Sequence, residues 1–204
     1  MSSVRSGLVA IVGVSLIAGL FACATTPKVT RTAVEEQIDL SGNWNDTDSR
    51  LVSEEMIKDV LTRPWIDEFR GQKNVKPRVI VGAVANKSHE HINTETFAND
   101  LERELTNSGR VRFVASRDQR EEIREERQDQ ARNSGVGTAK SAGQEYGADF
   151  MLKGQINTIM DEAGKMQLKY YQVELELIDM VTNEKVWVGQ KKIKKTVSRR
   201  SLGF

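Results

Sequence analysis

From residue 150 onward, hydrophobicity alternates with a period of two, and this constrains the fold more than any other feature. Phe150, Leu152, Gly154 and Ile156 fall on one phase; Lys153, Gln155 and Asn157 fall on the other. Residues 161–164 (Asp-Glu-Ala-Gly) read as a turn. Tyr171, Val173, Leu175 and Leu177 then alternate with Gln172, Glu174 and Glu176, and residues 182–184 turn the chain again. Residues 185–197 form a third alternating run, with Trp187 and Ile193 on one face and Lys192 and Lys194 on the other. Successive side chains of a strand point to opposite faces, so the pattern is an antiparallel meander closed by hairpin turns. One of its faces is apolar and must be covered by helices.

The chain upstream supplies those helices. A helix is expected from a cap at Thr47 or Asp48, with an apolar stripe at Leu51, Met56, Ile57, Val60 and Leu61. Pro64 can open a second short helix through Phe69. Residues 78–85, RVIVGAVA, form a nearly continuous apolar run, which reads as a strand buried on both faces. After a polar loop at 86–93, Thr94 caps a helix whose Phe97, Leu101 and Leu105 share one face. Gly109 ends it in a left-handed conformation. A strand at 111–115 and a highly charged helix from Ser116 to about Arg132 follow, then a shorter helix from Thr138 through Tyr146. The only large apolar residue of the charged helix is Ile123, so it reads as a solvated helix. The expected fold class is α/β, an α+β sandwich. A mixed sheet with a C-terminal antiparallel meander is packed by helices.

The N-terminus specifies export. One charge, Arg5, precedes an apolar run at 7–21, about 15 residues and short of the roughly 20 needed to span a bilayer. Leu20, Ala22 and the single cysteine, Cys23, match a bacterial lipoprotein signal, although Phe21 departs from the usual small residue. Cys23 is the expected lipid attachment site, because diacylglycerol is joined through a thioether. Several acyl chains then hold the protein on the membrane, and Ala24 favours the outer membrane. The expected organisation is a signal peptide at 1–22, a tether at 23–46 and a globular domain at 47–204. The tether holds one proline, Pro27, and would reach about 80 Å when stretched. Trp44 is expected to dock on the domain.

Several chemistries find no support. His89 and His91 share one loop and lack the further ligands zinc requires. No nucleophile comes with a base. The carboxylates of Glu121, Glu122, Glu125 and Glu126 lie on a solvated helix. Gly135 and Gly137 before Thr138 lack the lysine of a phosphate-binding loop. No cofactor or metal is implied. With 38% hydrophobic and 29% charged residues and a net charge of +1, nothing points to nucleic acid. Lys185, Lys191, Lys192, Lys194, Lys195, Arg199 and Arg200 read first as edge-strand charges that deter aggregation. Anionic headgroups, wall polymer or an acidic partner remain open.

Three blocks carry a family resemblance. They are Asn86-Lys87-Ser88 with His91-Ile92-Asn93-Thr94, the LTNSGRVRFV run at 105–114, and the GADFMLKG run at 147–154. Together they resemble the LpoB family of lipoprotein activators of penicillin-binding proteins. The resemblance implies a fold like the N-terminal domain of TolB. It also implies docking onto a bifunctional peptidoglycan synthase, increasing glycan polymerisation and cross-linking, with no enzymatic activity of its own. The enteric members carry a long proline-rich linker that is missing here. The alternative is a structural or assembly envelope lipoprotein on the same fold, of the flagellar or curli-secretion-channel type. Candidate docking residues are Asn86, Glu90 and His91 on the loop, and Arg120 and Arg124 on the charged helix, since polar residues held by a rigid sheet are where recognition tends to lie. The SGNWNDTDS segment at 41–49 has no role assignable from sequence.

Overall fold

The structure, a computed structural model, describes residues 29–135, 137–138, 143 and 145–198. The expected signal peptide, Cys23, Arg199 and Arg200 lie outside the described residues. The chain divides into two compact units, 1–36 and 37–204. Of the first, residues 29–36 are exposed and hold one turn, in which the Glu36 amide donates to the Ala33 carbonyl at 3.1 Å.

The second unit opens with helix α1 (Asp46–Thr62) and helix α2 (Trp65–Lys73). Strand β1 (Arg78–Lys87), helix α3 (Thr94–Asn107), strand β2 (Arg112–Phe113) and helix α4 (Arg117–Asn133) follow. The meander is β3 (Phe150–Ala163), β4 (Met166–Asp179) and β5 (Lys185–Ser198). The five strands form one sheet in the order β2-β1-β3-β4-β5. β1 runs parallel to β2 and β3, while β3–β4 and β4–β5 are antiparallel. This is the expected mixed sheet with a C-terminal meander.

The period-two phase identifies the covered face. Phe150, Leu152, Ile156, Tyr171, Val173, Leu175, Leu177 and Trp187 are all buried. Against them pack Val52, Met56, Ile57 and Val60 of α1, Trp65 and Ile66 of α2, and Phe97, Leu101 and Leu105 of α3. The α1 stripe runs through Val52 instead of Leu51, which is exposed. Two indole N–H groups tie elements together: Trp187 of β5 donates to Asp59 of α1 at 2.7 Å, and Trp65 of α2 donates to the Val60 carbonyl of α1 at 2.8 Å. Trp65 and Phe69 both meet Phe150 edge to face.

Several local expectations change. β1 is covered on one face only: Val79 and Val84 are buried, while Ala83 and Ala85 are exposed. A register shift between Val81 and Val84 resets the inward phase, so an apolar run that looked two-sided serves a single face. The β3–β4 turn comes later than 161–164, with Gly164 at φ +59 and both strands 14 residues long. Caps fall one to three residues early, at Asn45 for α1 and Asn93 for α3, while Ser116 caps α4 as expected. Gly109 takes the expected positive φ, +65. The expected helix from Thr138 through Tyr146 falls largely outside the described residues; Thr138 is in a turn, and residues 145–148 are not helical. Among the described residues, no helix is long and apolar enough to cross a membrane.

Candidate interaction surfaces

Two surfaces contain the candidate docking residues. The first is the loop after β1, built by its own side chains. Asn86 Nδ2 donates to the Glu90 carbonyl at 2.8 Å, and its Oδ1 accepts from the Ser88 amide at 2.9 Å and hydroxyl at 2.6 Å. His89 pins the loop to β3 through Nδ1, 3.0 Å from Thr158 Oγ1. His91 is exposed and makes no side-chain hydrogen bond among the described residues. The bonds that order the loop come from its neighbours Asn86, Ser88 and His89.

Glu90 points inward, into a network that closes over one end of the sheet. Its Oε1 accepts from Lys169 Nζ at 2.7 Å and from the Tyr171 hydroxyl at 2.8 Å, and its Oε2 from the Trp44 amide at 2.9 Å. Burial opposes ionisation of Glu90, but the hydrogen bonds from Lys169, Trp44 and Tyr171 outweigh it and hold the pKa below its ordinary value. The same network pushes the Tyr171 hydroxyl well up, through burial first and then Glu90.

This network gives the SGNWNDTDS segment its role. The Gly42 carbonyl shares the Tyr171 hydroxyl proton with Glu90, at 3.0 Å, and Asn43 accepts from Lys169. A side chain at Gly42 would collide with Val197, so only glycine lets the segment lie this close. The Trp44 ring packs edge to face on Tyr171 with centroids 5.6 Å apart, as expected of a docked Trp44. Asn45 and Asp48 form a reciprocal capping box at the start of α1. Lys195 Nζ then bridges Asp39 at 2.8 Å and Asp48 at 2.6 Å. Burial raises the Asp48 pKa against the pull of Lys195, whose own pKa is raised by the two carboxylates against burial. Residues 39–48 thus form a strap across β4 and β5.

The second surface is the cleft under α4, a cavity of about 300 Å³. It is lined by Arg78, Arg112, Arg120 and Arg127, with Glu145 and Tyr146 opposite and Phe113, Val114 and Ile123 as apolar walls. α4 buries none of its side chains. Arg124 grips Glu145 bidentately, at 2.9 Å and 2.7 Å, and Arg127 reaches it at 3.3 Å. Those arginines hold the Glu145 carboxylate below its usual range, Arg124 most of all. The Arg78 guanidinium lies 4.1 Å from the centroid of the Tyr146 ring. Arg120 Nε is shielded from solvent and has no acceptor among the described residues.

The two surfaces stand at opposite ends of β1, about 26 Å apart along the strand. The fold therefore groups Asn86, Glu90 and His91 apart from Arg120 and Arg124. Of the five, Asn86, Glu90 and Arg124 have side-chain polar groups engaged within the molecule, while the His91 and Arg120 side chains make no hydrogen bond among the described residues. The β5 lysines are less of a basic edge than their number suggests. Lys185, Lys191 and Lys195 are paired with Glu176, Glu55, Asp39 and Asp48. Lys192 and Lys194 face the open side without an ion pair among the described residues. No group of three His, Cys, Asp or Glu residues suited to a metal occurs among the described residues.

The residues of these surfaces not singled out from sequence are Lys169, Tyr171 and Lys195 beneath the strap, and Arg78, Arg112, Glu145 and Tyr146 in the cleft. Lys169 carried a usable signal, because it falls on the inward phase with Tyr171 and Val173. A lysine on an apolar face needs a buried partner.

The model of the peptidoglycan-synthase activator LpoB family matches residues 48–193. The chain belongs to that family. Membership places it among peptidoglycan-synthase activators, a regulatory class and not a catalytic one. The LpoB C-terminal domain from Salmonella enterica is 16% identical, with 64% of this chain and 93% of that one covered and a TM-score of 0.35. The LpoB C-terminal domain from Escherichia coli is 17% identical over 64% and 93%, with a TM-score of 0.36. Lipoprotein GNA1162 from Neisseria meningitidis is 12% identical over 62% and 88%, with a TM-score of 0.36. No curated protein matches the chain.

Proposed function

We propose that this protein is an outer-membrane lipoprotein, anchored through Cys23 on the periplasmic face, that binds and activates a bifunctional penicillin-binding protein. The observation behind this reading is the family match, which runs from the first turn of α1 at residue 48 into β5 at residue 193. The signal-like N-terminus, with its single cysteine, supports the anchor.

The strap sharpens the mechanism. Residues 37–45 belong to the folded unit, so the tether is the stretch from Cys23 to Glu36. It reaches about 50 Å when fully extended, and its r.m.s. span as a coil is about 20 Å. A partner must bring its regulatory surface within reach of a domain held on that tether. Docking is assigned to the loop at 86–91 and to α4. Asn86 and Glu90 shape the loop that presents His91; Arg124 holds Glu145 in the cleft beside Arg120.

The test is co-purification from native envelopes after crosslinking, using the full-length lipoprotein as bait. Recovery of a bifunctional penicillin-binding protein is expected. Recovery of flagellar or secretion-channel components in its place would favour the assembly-lipoprotein alternative.

A further inference from the structure

We propose that the cleft under α4 binds a carboxylate of an acidic peptide segment on the protein partner, with Arg78, Arg112 and Arg120 as the residues that take it. The inference deepens the proposed function by supplying the chemistry of one docking point.

Charge is the first argument. Among the described residues, Glu145 is the only acidic one lining the cleft, and Arg124 and Arg127 already share it. Arg78, Arg112 and Arg120 form no ion pair among the described residues. Positions 1–28, 136, 139–142, 144 and 199–204 contain no Asp or Glu side chain. Arg78 and Arg112 are direct register partners on the parallel strands β1 and β2. Like charges placed side by side on a sheet are unfavourable, so an anion between them would relieve a repulsion built into the fold. Arg120 adds a shielded Nε–H with no acceptor, and buried donors are normally satisfied.

Shape selects the anion. Guanidinium forks match planar carboxylates bidentately, and Arg124 already holds Glu145 in that geometry. Phe113, Val114 and Ile123 offer apolar walls to the residue beside the carboxylate. A cavity of about 300 Å³ accommodates one or two side chains. An acidic residue flanked by an aliphatic one fits both demands, whereas a bare phosphate would engage the guanidinium forks but leave the apolar walls unused.

The test follows backbone amide shifts while the folded domain (residues 37–204) is titrated with three probes. They are the blocked peptide acetyl-Leu-Glu-Leu-amide, its Gln counterpart and inorganic phosphate. The Glu peptide is expected to give saturable shifts at residues 112–115, 120–127 and 146. The Gln peptide should bind about tenfold more weakly, the worth of one charge-assisted hydrogen bond. The double variant R112A/R120A should lose the response, while K192A, on the open face away from the cleft, should keep it. Should the double variant fail to fold, Arg120→Gln alone serves, with a weakened response expected. The inference is overturned if the Glu and Gln peptides bind alike, if phosphate binds as well as the Glu peptide, if the variants respond like the parent, or if no shift appears at millimolar peptide. A failed titration beside normal synthase activation would overturn this inference and leave the proposed function standing.

Discussion

The Tyr171 hydroxyl donates a 2.8 Å hydrogen bond to the Glu90 carboxylate across 81 positions of sequence. Lys169 and the Trp44 amide converge on the same carboxylate. One side chain thus joins the β1–α3 loop, the middle of β4 and the strap. Replacing Glu90 by alanine would leave Lys169 buried and unpaired, and removing one partner of a buried pair costs about 3–5 kcal/mol. The network sits at the rim of the sheet, so the low end, about 3 kcal/mol, is expected for E90A. E90Q keeps an acceptor and should cost about 1–2 kcal/mol. Urea unfolding of the three proteins checks the order. Equal midpoints would show that the network contributes nothing.

The same carboxylate predicts an acid dependence. The Glu90 pKa lies below its ordinary 4.5 in the folded protein. A lowered carboxylate pKa contributes stability that is fully present above the unfolded value and is lost as the pH falls through the folded value. Asp48 has the opposite sign, since burial raises its pKa and acidification relieves that cost. Comparing wild type with E90Q isolates the Glu90 part. Their difference in unfolding free energy should be constant above about pH 6 and shrink below pH 4.5. A gap unchanged down to about pH 3 would contradict the assignment.

The strap predicts where the folded domain begins. A protein starting at residue 47 loses the Asn45 cap, the Gly42 carbonyl that Tyr171 bonds, and the Trp44 ring. Loss of a cap alone costs about 1 kcal/mol, and exposing an aromatic contact adds about 1–3 kcal/mol. Residues 47–204 should therefore melt well below residues 37–204, as followed by circular dichroism. Matching melting temperatures would make the strap a passive covering.

Gly154 is a packing constraint at the centre of the sheet. A Cβ there would sit 2.5 Å from the Glu174 carbonyl oxygen on β4 and would also strike Leu175. Backbone cannot yield as a flexible side chain does. Gly154→Ala is expected to cost about 2–3 kcal/mol by overpacking, read as a drop in the urea midpoint. A neutral result would mean that β3 and β4 can separate locally at little cost.

The meander and the covered face could be read from sequence, because period-two alternation reports burial directly. β1 could not be read correctly. A bulge between Val81 and Val84 changes which residues face inward without changing how apolar the run is. The strap was illegible for a different reason. Lys169 on the apolar phase announces a buried partner, but its identity as Glu90 depends on a contact 79 positions away. The cleft escaped for the same reason, since Arg78 and Arg112 become neighbours only once β1 and β2 pair. The charged helix was correctly legible as solvated. The cleft beneath it was not.

The decisive measurement is the initial rate of glycan polymerisation by the bifunctional synthase of the same organism, with the domain (residues 37–204) titrated in. A saturable rise in rate, at concentrations that also give direct binding, is the predicted result. A rate that stays flat while the domain remains folded would contradict it.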